Sequence, residues 1–143
     1  DSKRGKEIEM KVVVDTNVLV SGIINPHGRP AHVLNLVLDG KLTLCIDSRI
    51  YSEYKRVLLS PKFSFPRKYV RILLDFIKRK SVFVVPLPLR TDPLDESDLP
   101  FLEVAFSAKA PIITGNRKHF ENVKGIEIYT PSEFIEKFIR HAL

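Results

Sequence analysis

Lys11-Val12-Val13-Val14-Asp15-Thr16-Asn17-Val18-Leu19 is the stretch on which the reading of this 143-residue chain turns. Three β-branched residues in succession describe a strand buried on both faces, because a strand with one wet face would alternate apolar and polar residues. The run stops at Asp15. From Thr16 to Ile24 the apolar groups, Val18, Leu19 and Ile23 among them, recur at helical spacing until Asn25-Pro26-His27-Gly28-Arg29-Pro30 breaks the pattern. A helix therefore follows the strand directly, with a carboxylate at the junction.

The same alternation continues outward. Pro30 to Leu38 puts Val33, Leu34, Val37 and Leu38 on one helical face and ends at Asp39-Gly40, with glycine in its usual C-terminal place. Leu42 to Ile46 reads as the second strand. Ser48 is expected to cap a helix from Arg49 to Leu59 whose stripe is Ile50, Tyr54, Val57 and Leu58, with Glu53 beside it. Pro66 opens a further helix to about Lys80. Ser81 to Val85 is a third strand, after which Pro86, Pro88 and Pro93 force an extended loop. Ser97 or Asp98 is expected to cap a helix to Lys109, Pro111 to Thr114 is a fourth strand, and a short segment reaches Phe120. Ile126 to Tyr129 is a last strand, and Thr130-Pro131 starts a closing helix to about His141. Strands alternating with helices predict an α/β fold with a parallel sheet.

Composition narrows the class. An apolar fraction of 44%, a charged fraction of 28% and a mean hydropathy of −0.03 exclude disordered and fibrous chains. No apolar run approaches the ~20 residues that span a bilayer, and Asp1 to Lys11 is charged where a secretion signal is apolar. The expectation is a soluble, cytoplasmic protein without membrane contact. Residues 1–10 read as a disordered or appended extension, with residues 11–143 forming one domain. The lone Cys45 rules out an intramolecular disulfide or a thiolate zinc site and reads as a small buried hydrophobe.

Charge is unevenly placed within the net +6. Arg49 through Arg90 holds eleven basic residues against Glu53 and Asp75 alone, whereas Asp92, Asp95, Glu96, Asp98 and Glu103 follow with no compensating base. Polyanions are drawn to Lys and Arg by counterion release, and crowded carboxylates need cations. Nucleic acid together with metal satisfies both. Ligands of open α/β sheets collect beyond the carboxyl ends of the strands, where Asp15 and, through Gly115, Asn116 both sit. Glu53 and Asp98 reach the same mouth if their helices start there.

These residues carry a family resemblance. Val14-Asp15-Thr16-Asn17-Val18-Leu19 resembles the opening motif of the PIN-domain ribonucleases, the VapC-like toxins among them. Glu53, in Ser52-Glu53-Tyr54-Lys55-Arg56-Val57-Leu58, is similar to their second acidic position, and Asp98, in Asp98-Leu99-Pro100-Phe101-Leu102-Glu103-Val104-Ala105, to their third. Ile113-Thr114-Gly115-Asn116-Arg117-Lys118-His119-Phe120 is similar to the fourth motif, where many members carry aspartate in place of Asn116. The match runs in the family's order over residues 11 to 140.

The resemblance implies a three-layer α/β/α fold around a central, mainly parallel sheet, and a Mg²⁺- or Mn²⁺-dependent endoribonuclease. It also implies homodimers and, for toxin members, an antitoxin protein that covers the site. In those terms Asp15 is the central metal ligand, Asp98 a second ligand directly or through water, and Asn116 a further one through its carbonyl. Glu53 is the carboxylate that holds and helps deprotonate the attacking water. Asn17, Thr114 and Ser21 are expected to orient carboxylates or phosphate. Arg29, Arg117 and Lys118 are expected to contact RNA phosphates.

Rival readings are weaker on the residues. An aspartyl phosphotransferase of the haloacid-dehalogenase type wants a second aspartate two positions after Asp15, where Asn17 stands. No Gly-x-Gly-x-x-Gly follows a strand, which removes a dinucleotide site. Asn116 makes a further alternative concrete: a PIN-fold RNA-binding or protein-interaction module with weakened catalysis. Asp92, Asp95 and Glu96 read as solvated loop acids, and His27 and His119, without partners at ligand spacing, as surface or loop residues.

Overall fold

Val12, Val13 and Val14 have no exposed surface because their strand is the middle one of five. The computed structural model describes residues 10–90, 96–120 and 123–139. Its elements run β1 (Met10–Val14), α1 (Thr16–Ile24), α2 (Arg29–Leu38), β2 (Leu42–Ile46), α3 (Ser48–Leu58), α4 (Arg67–Lys80), β3 (Val82–Phe83), α5 (Leu99–Ala108), β4 (Ile112–Ile113), β5 (Ile128–Tyr129) and α6 (Pro131–Phe134). A π-helical turn, Ile135–Ile139, prolongs α6. The expected end at His141, the loop acids Asp92 and Asp95, and residues 1–9 of the expected extension lie outside the described residues.

The sheet order is β3-β2-β1-β4-β5 and every pairing is parallel. Helices cover it as a three-layer α/β/α sandwich, α2 packing on α1 and α6, and α3 on α4 and α5. Val12 lies opposite Leu44 of β2, and Val14 opposite Ile113 of β4. The chain winds outward from β1 through β2 to β3, then crosses back to place β4 on the other flank of β1. Beyond the carboxyl ends of β1 and β4 the connections diverge, opening a crevice. Asp15 and Thr114 stand at that point.

Several boundaries differ from the sequence expectation, each for a local reason. Met10 belongs to β1, paired with Leu42, one residue before the Lys11 at which the sequence reading begins the strand. Asp47, not Ser48, caps α3: its extended backbone ends β2, and its carboxylate accepts from the Ile50 N–H at 3.0 Å. Asp98 occupies the N-cap of α5, as expected, but its side chain makes no capping bond, and a 3₁₀ turn, Glu96–Asp98, leads into the helix. β3 is shorter than expected because pairing to β2 stops after the Val84 N–H meets the Ile46 carbonyl, just before Pro86 and its missing donor. Other expectations hold: Gly40 has φ +80 after α2, Thr130 and Glu133 form a capping box, and Cys45 is fully buried. Gly22 lets α1 and α2 approach closely, since a Cβ there would lie 3.1 Å from the Pro30 carbonyl oxygen.

Candidate active site

Asp15 is fixed from both sides of the switch between β1 and β4. Its N–H bonds the Ile113 carbonyl at 2.9 Å, and the Thr114 hydroxyl donates to its carboxylate at 2.8 Å. Burial pushes the Asp15 carboxyl above the usual aspartate range; the Thr114 hydroxyl and the Thr16 N–H pull it down, Glu53 pushes it up, and His119 pulls it down. A buried carboxylate beside another is a position a cation would stabilise.

Glu53 reaches the same place because α3 is pinned to the sheet by its neighbour. Tyr54 is fully buried and donates its hydroxyl proton to the Val14 carbonyl, one residue before Asp15. Burial, with added repulsion from Asp15 and Glu53, drives the Tyr54 phenol well above its ordinary range, so it stays a donor. With Tyr54 turned inward, Glu53 faces across the crevice and accepts a hydrogen bond from the Thr16 hydroxyl. The helix stripe thus aims a carboxylate that its own packing does not use.

Asp98 enters buried, at the start of α5, with the His119 Nδ1 3.5 Å from its carboxylate. The Asn116 amide nitrogen lies 2.8 Å from His119 Nε2; with the amide donating, a neutral ring carries its proton on Nδ1, facing Asp98. Arg49 links the two helices that carry Glu53 and Asp98. Its guanidinium meets Asp47 and Glu103 at 2.7 Å each, and the other Glu103 oxygen accepts the Leu89 N–H at 2.8 Å. Glu103 is buried, so α3, α5 and the segment after β3 meet at one satisfied carboxylate.

Asp15, Glu53 and Asp98 accordingly line one cleft of about 310 Å³, together with Thr16, Asn17, Ser97, His119 and the apolar Val20, Val57 and Phe63. Asn17 holds its rim by accepting the Gly115 N–H at 3.1 Å. Asp15 and Glu53 accept from the Thr114 and Thr16 hydroxyls, Asp98 has the His119 ring 3.5 Å away, and among the described residues no three His, Cys, Asp or Glu side chains are gathered into a ready-made metal cage. Their donor type, hard oxygen at a shared mouth, fits Mg²⁺ or Mn²⁺.

Other expected site residues stand apart from this lining. Asn116 is exposed and spends its amide on His119, while its N–H bonds Thr114. Ser21 is exposed on α1 outside the cleft. Arg29 pairs with Glu136 at 3.1 Å and Arg117 with Glu133 at 2.8 Å; Lys118 is exposed. His119 is the opposite case, a cleft residue that ligand spacing does not reveal. Thr16 and Phe63 are also in the lining without a sequence signal of their own, and the Arg49–Glu103 link joins residues that sequence distance hides.

Comparison with known proteins agrees with the fold. A family model described as PIN domain matches residues 11–118. "Uncharacterized protein MJ1680" of Methanocaldococcus jannaschii is 36% identical over 149 residues, covering 93% of this chain and 94% of its own. The crystal structure of VapBC2 from Rickettsia felis, bound to a DNA fragment from their promoter, superposes with a TM-score of 0.57 at 18% identity, over 85% of this chain and 98% of that one. At that identity the likeness is one of fold.

Proposed function

This chain belongs to the PIN domain family, and we propose that within it the protein is a metal-dependent endoribonuclease hydrolysing RNA phosphodiester bonds. The observation that carries this reading is the shared cleft of Asp15, Glu53 and Asp98, brought together from a strand end, the middle of one helix and the start of another. Asp15 and Asp98 would hold Mg²⁺ or Mn²⁺. Bound there, the ion acidifies a water and neutralises charge on the phosphoryl and leaving oxygens. Glu53 orients the attacking water and accepts its proton. Thr114 and Asn17 keep Asp15 and the Gly115 turn in place, Ser21 lies one helical turn further along α1, and Arg117, Lys118 and Arg29 offer charge to the RNA backbone.

Incubation of the pure protein with single-stranded and structured RNAs tests this. Cleavage is expected with Mn²⁺ and not with EDTA, and Asp15→Asn and Asp98→Asn should remove it. No metal-dependent cleavage overturns the reading. RNA binding is expected to weaken steeply with salt.

Asn116 departs from the acidic fourth position in chemical terms: a neutral amide, here bonded to His119. Asn116→Asp is expected to tighten divalent-cation binding in calorimetry, and unchanged affinity places the residue outside the coordination sphere. The same observation favours a second reading, a PIN-fold module that binds RNA or protein with weakened catalysis; retained RNA binding without cleavage would establish it. As a toxin component, the protein would act in the cytoplasm as a homodimer with an antitoxin over the cleft. Expression in a bacterial host should then arrest growth, and Asp15→Asn should relieve the arrest.

A further inference from the structure

The connection between α3 and α4, Ser60-Pro61-Lys62-Phe63-Ser64-Phe65-Pro66, brings a phenyl ring into the wall of the carboxylate cleft. The loop is held tightly for so short a piece of chain. The Phe63 N–H bonds the Ser60 carbonyl at 3.3 Å, the Lys62 N–H the Ser60 hydroxyl at 3.2 Å, and the Ser64 hydroxyl donates to the Pro61 carbonyl at 3.2 Å. Ser64 adopts φ +52, a conformation a residue with a Cβ rarely takes and which persists only where neighbours fix it.

The two phenylalanines of the loop have different surroundings. Phe65 packs against the hydrophobic core, whereas Phe63 does not belong to it. Phe63 rests instead on Phe65, the rings nearly parallel at 9° with centroids 5.3 Å apart, and the exposed Lys62 ammonium lies over the Phe63 ring, 5.5 Å from its centroid. Stacking on a residue packed against the core fixes the half-buried ring at the cleft, and the cation travels with it. A preorganised aromatic ring whose overlying cation is exposed and free to swing toward a phosphate, in a site that takes a phosphodiester, matches an unpaired nucleobase and its flanking phosphate. Inside a duplex both faces of a base are already covered.

We propose that Phe63, supported by Phe65, is a stacking platform for an unpaired base next to the scissile phosphate, with Lys62 meeting the adjoining phosphate, so that the substrate is single-stranded at this point. The proposal rests on the ribonuclease reading for the identity of the polymer, and its test does not rest on cleavage. A single-stranded oligoribonucleotide carrying 2-aminopurine is titrated with the full chain in EDTA at low salt, following fluorescence, and the same strand is titrated as a duplex. The wild type should quench the single strand and leave the duplex unquenched. Phe63→Leu should lose the quenching and bind about five- to a hundred-fold more weakly, while Phe63→Tyr should restore both. Lys62→Gln should weaken binding and retain quenching, with a shallower salt dependence. Far-ultraviolet circular dichroism checks that each variant is folded.

Quenching by Phe63→Leu equal to wild type, equal quenching of the duplex, or none by the wild type overturns the platform. A protein that quenches through Phe63 yet cuts no RNA with Mn²⁺ overturns the nuclease reading and leaves the platform standing. A protein that cuts with Mn²⁺ while Phe63→Leu quenches normally does the reverse.

Discussion

Two clefts at opposite ends of the sheet make an instructive pair. The larger, about 540 Å³, lies at the amino end of β2, between the end of α2 and the end of α4. The smaller, about 310 Å³, lies at the carboxyl ends of β1 and β4. The larger cleft is lined chiefly by Val37, Leu38, Leu42, Leu44 and Phe76, with Asp39 and Lys80 as its ionisable side chains. The smaller has Asp15, Glu53, Asp98 and His119, supplied by four separate parts of the sequence. Size therefore says little here about where ionisable side chains gather. What matters is which turns the parallel strands deliver to a common point, and at the carboxyl end those turns lead from strands into helices that aim side chains inward.

The sharpest way to break the contrast is a matched pair of substitutions. Asp15→Asn should lower the rate of Mn²⁺-dependent RNA cleavage by about a hundred-fold or more, since the stabilisation a bound cation gives is worth several kcal/mol. Asp39→Asn, in the larger cleft, should leave the rate within about two-fold. Comparable losses at both sites would erase the distinction between the two ends.

Next in size is the anchor of α3. Tyr54→Phe removes the donor to Val14 and leaves a buried carbonyl unsatisfied, so unfolding in urea should report a loss of about 1–3 kcal/mol. A stability equal to wild type would mean that α3 is placed by its apolar stripe alone. Arg49→Met should cost a similar or smaller amount, because Glu103 stays buried while the guanidinium it loses is 43% exposed. A double-mutant cycle with Glu103→Gln should recover part of the loss. Strict additivity would show that the two helices are not coupled through this pair.

The smallest effect has the opposite sign. Asp15 carries a carboxyl raised above the ordinary 3.8, so its ionisation opposes folding in metal-free protein. Stability from the protonated form is complete below the unfolded value and is lost as pH rises through the folded one. Asp15→Asn should thus melt higher than wild type at neutral pH in EDTA, and the gap should close as the pH approaches 3.8. A variant that melts lower at neutral pH would show that the carboxylate is not under strain. Loss of activity with gain of stability would set this end of the sheet apart from the other once more.

Much of the fold is legible from periodicity because burial on both faces leaves no alternative for Val12-Val13-Val14, and the amphipathic stripes of α3 and α4 need only one side to be wet. The acids were findable because each sits where an element begins, ends or turns inward. Arg49–Glu103 and Thr16–Glu53 were not, since a pair between distant residues has no local pattern. His119 was hidden for a related reason: its partners Asp98 and Asn116 are supplied by the fold and by a turn, not by ligand spacing. Phe63 carries no sequence signal, and only its stacking on Phe65 sets it apart.

Gly22 lies outside the carboxylate cleft, yet its contact with the Pro30 and Ala31 backbone sets how deeply α1 seats. Thr16 and Asn17, at the opposite end of the same rigid rod, inherit whatever tilt this contact permits. A single methyl group at Gly22 would act as a wedge, altering the gap between the walls of the carboxylate cleft from a place outside it.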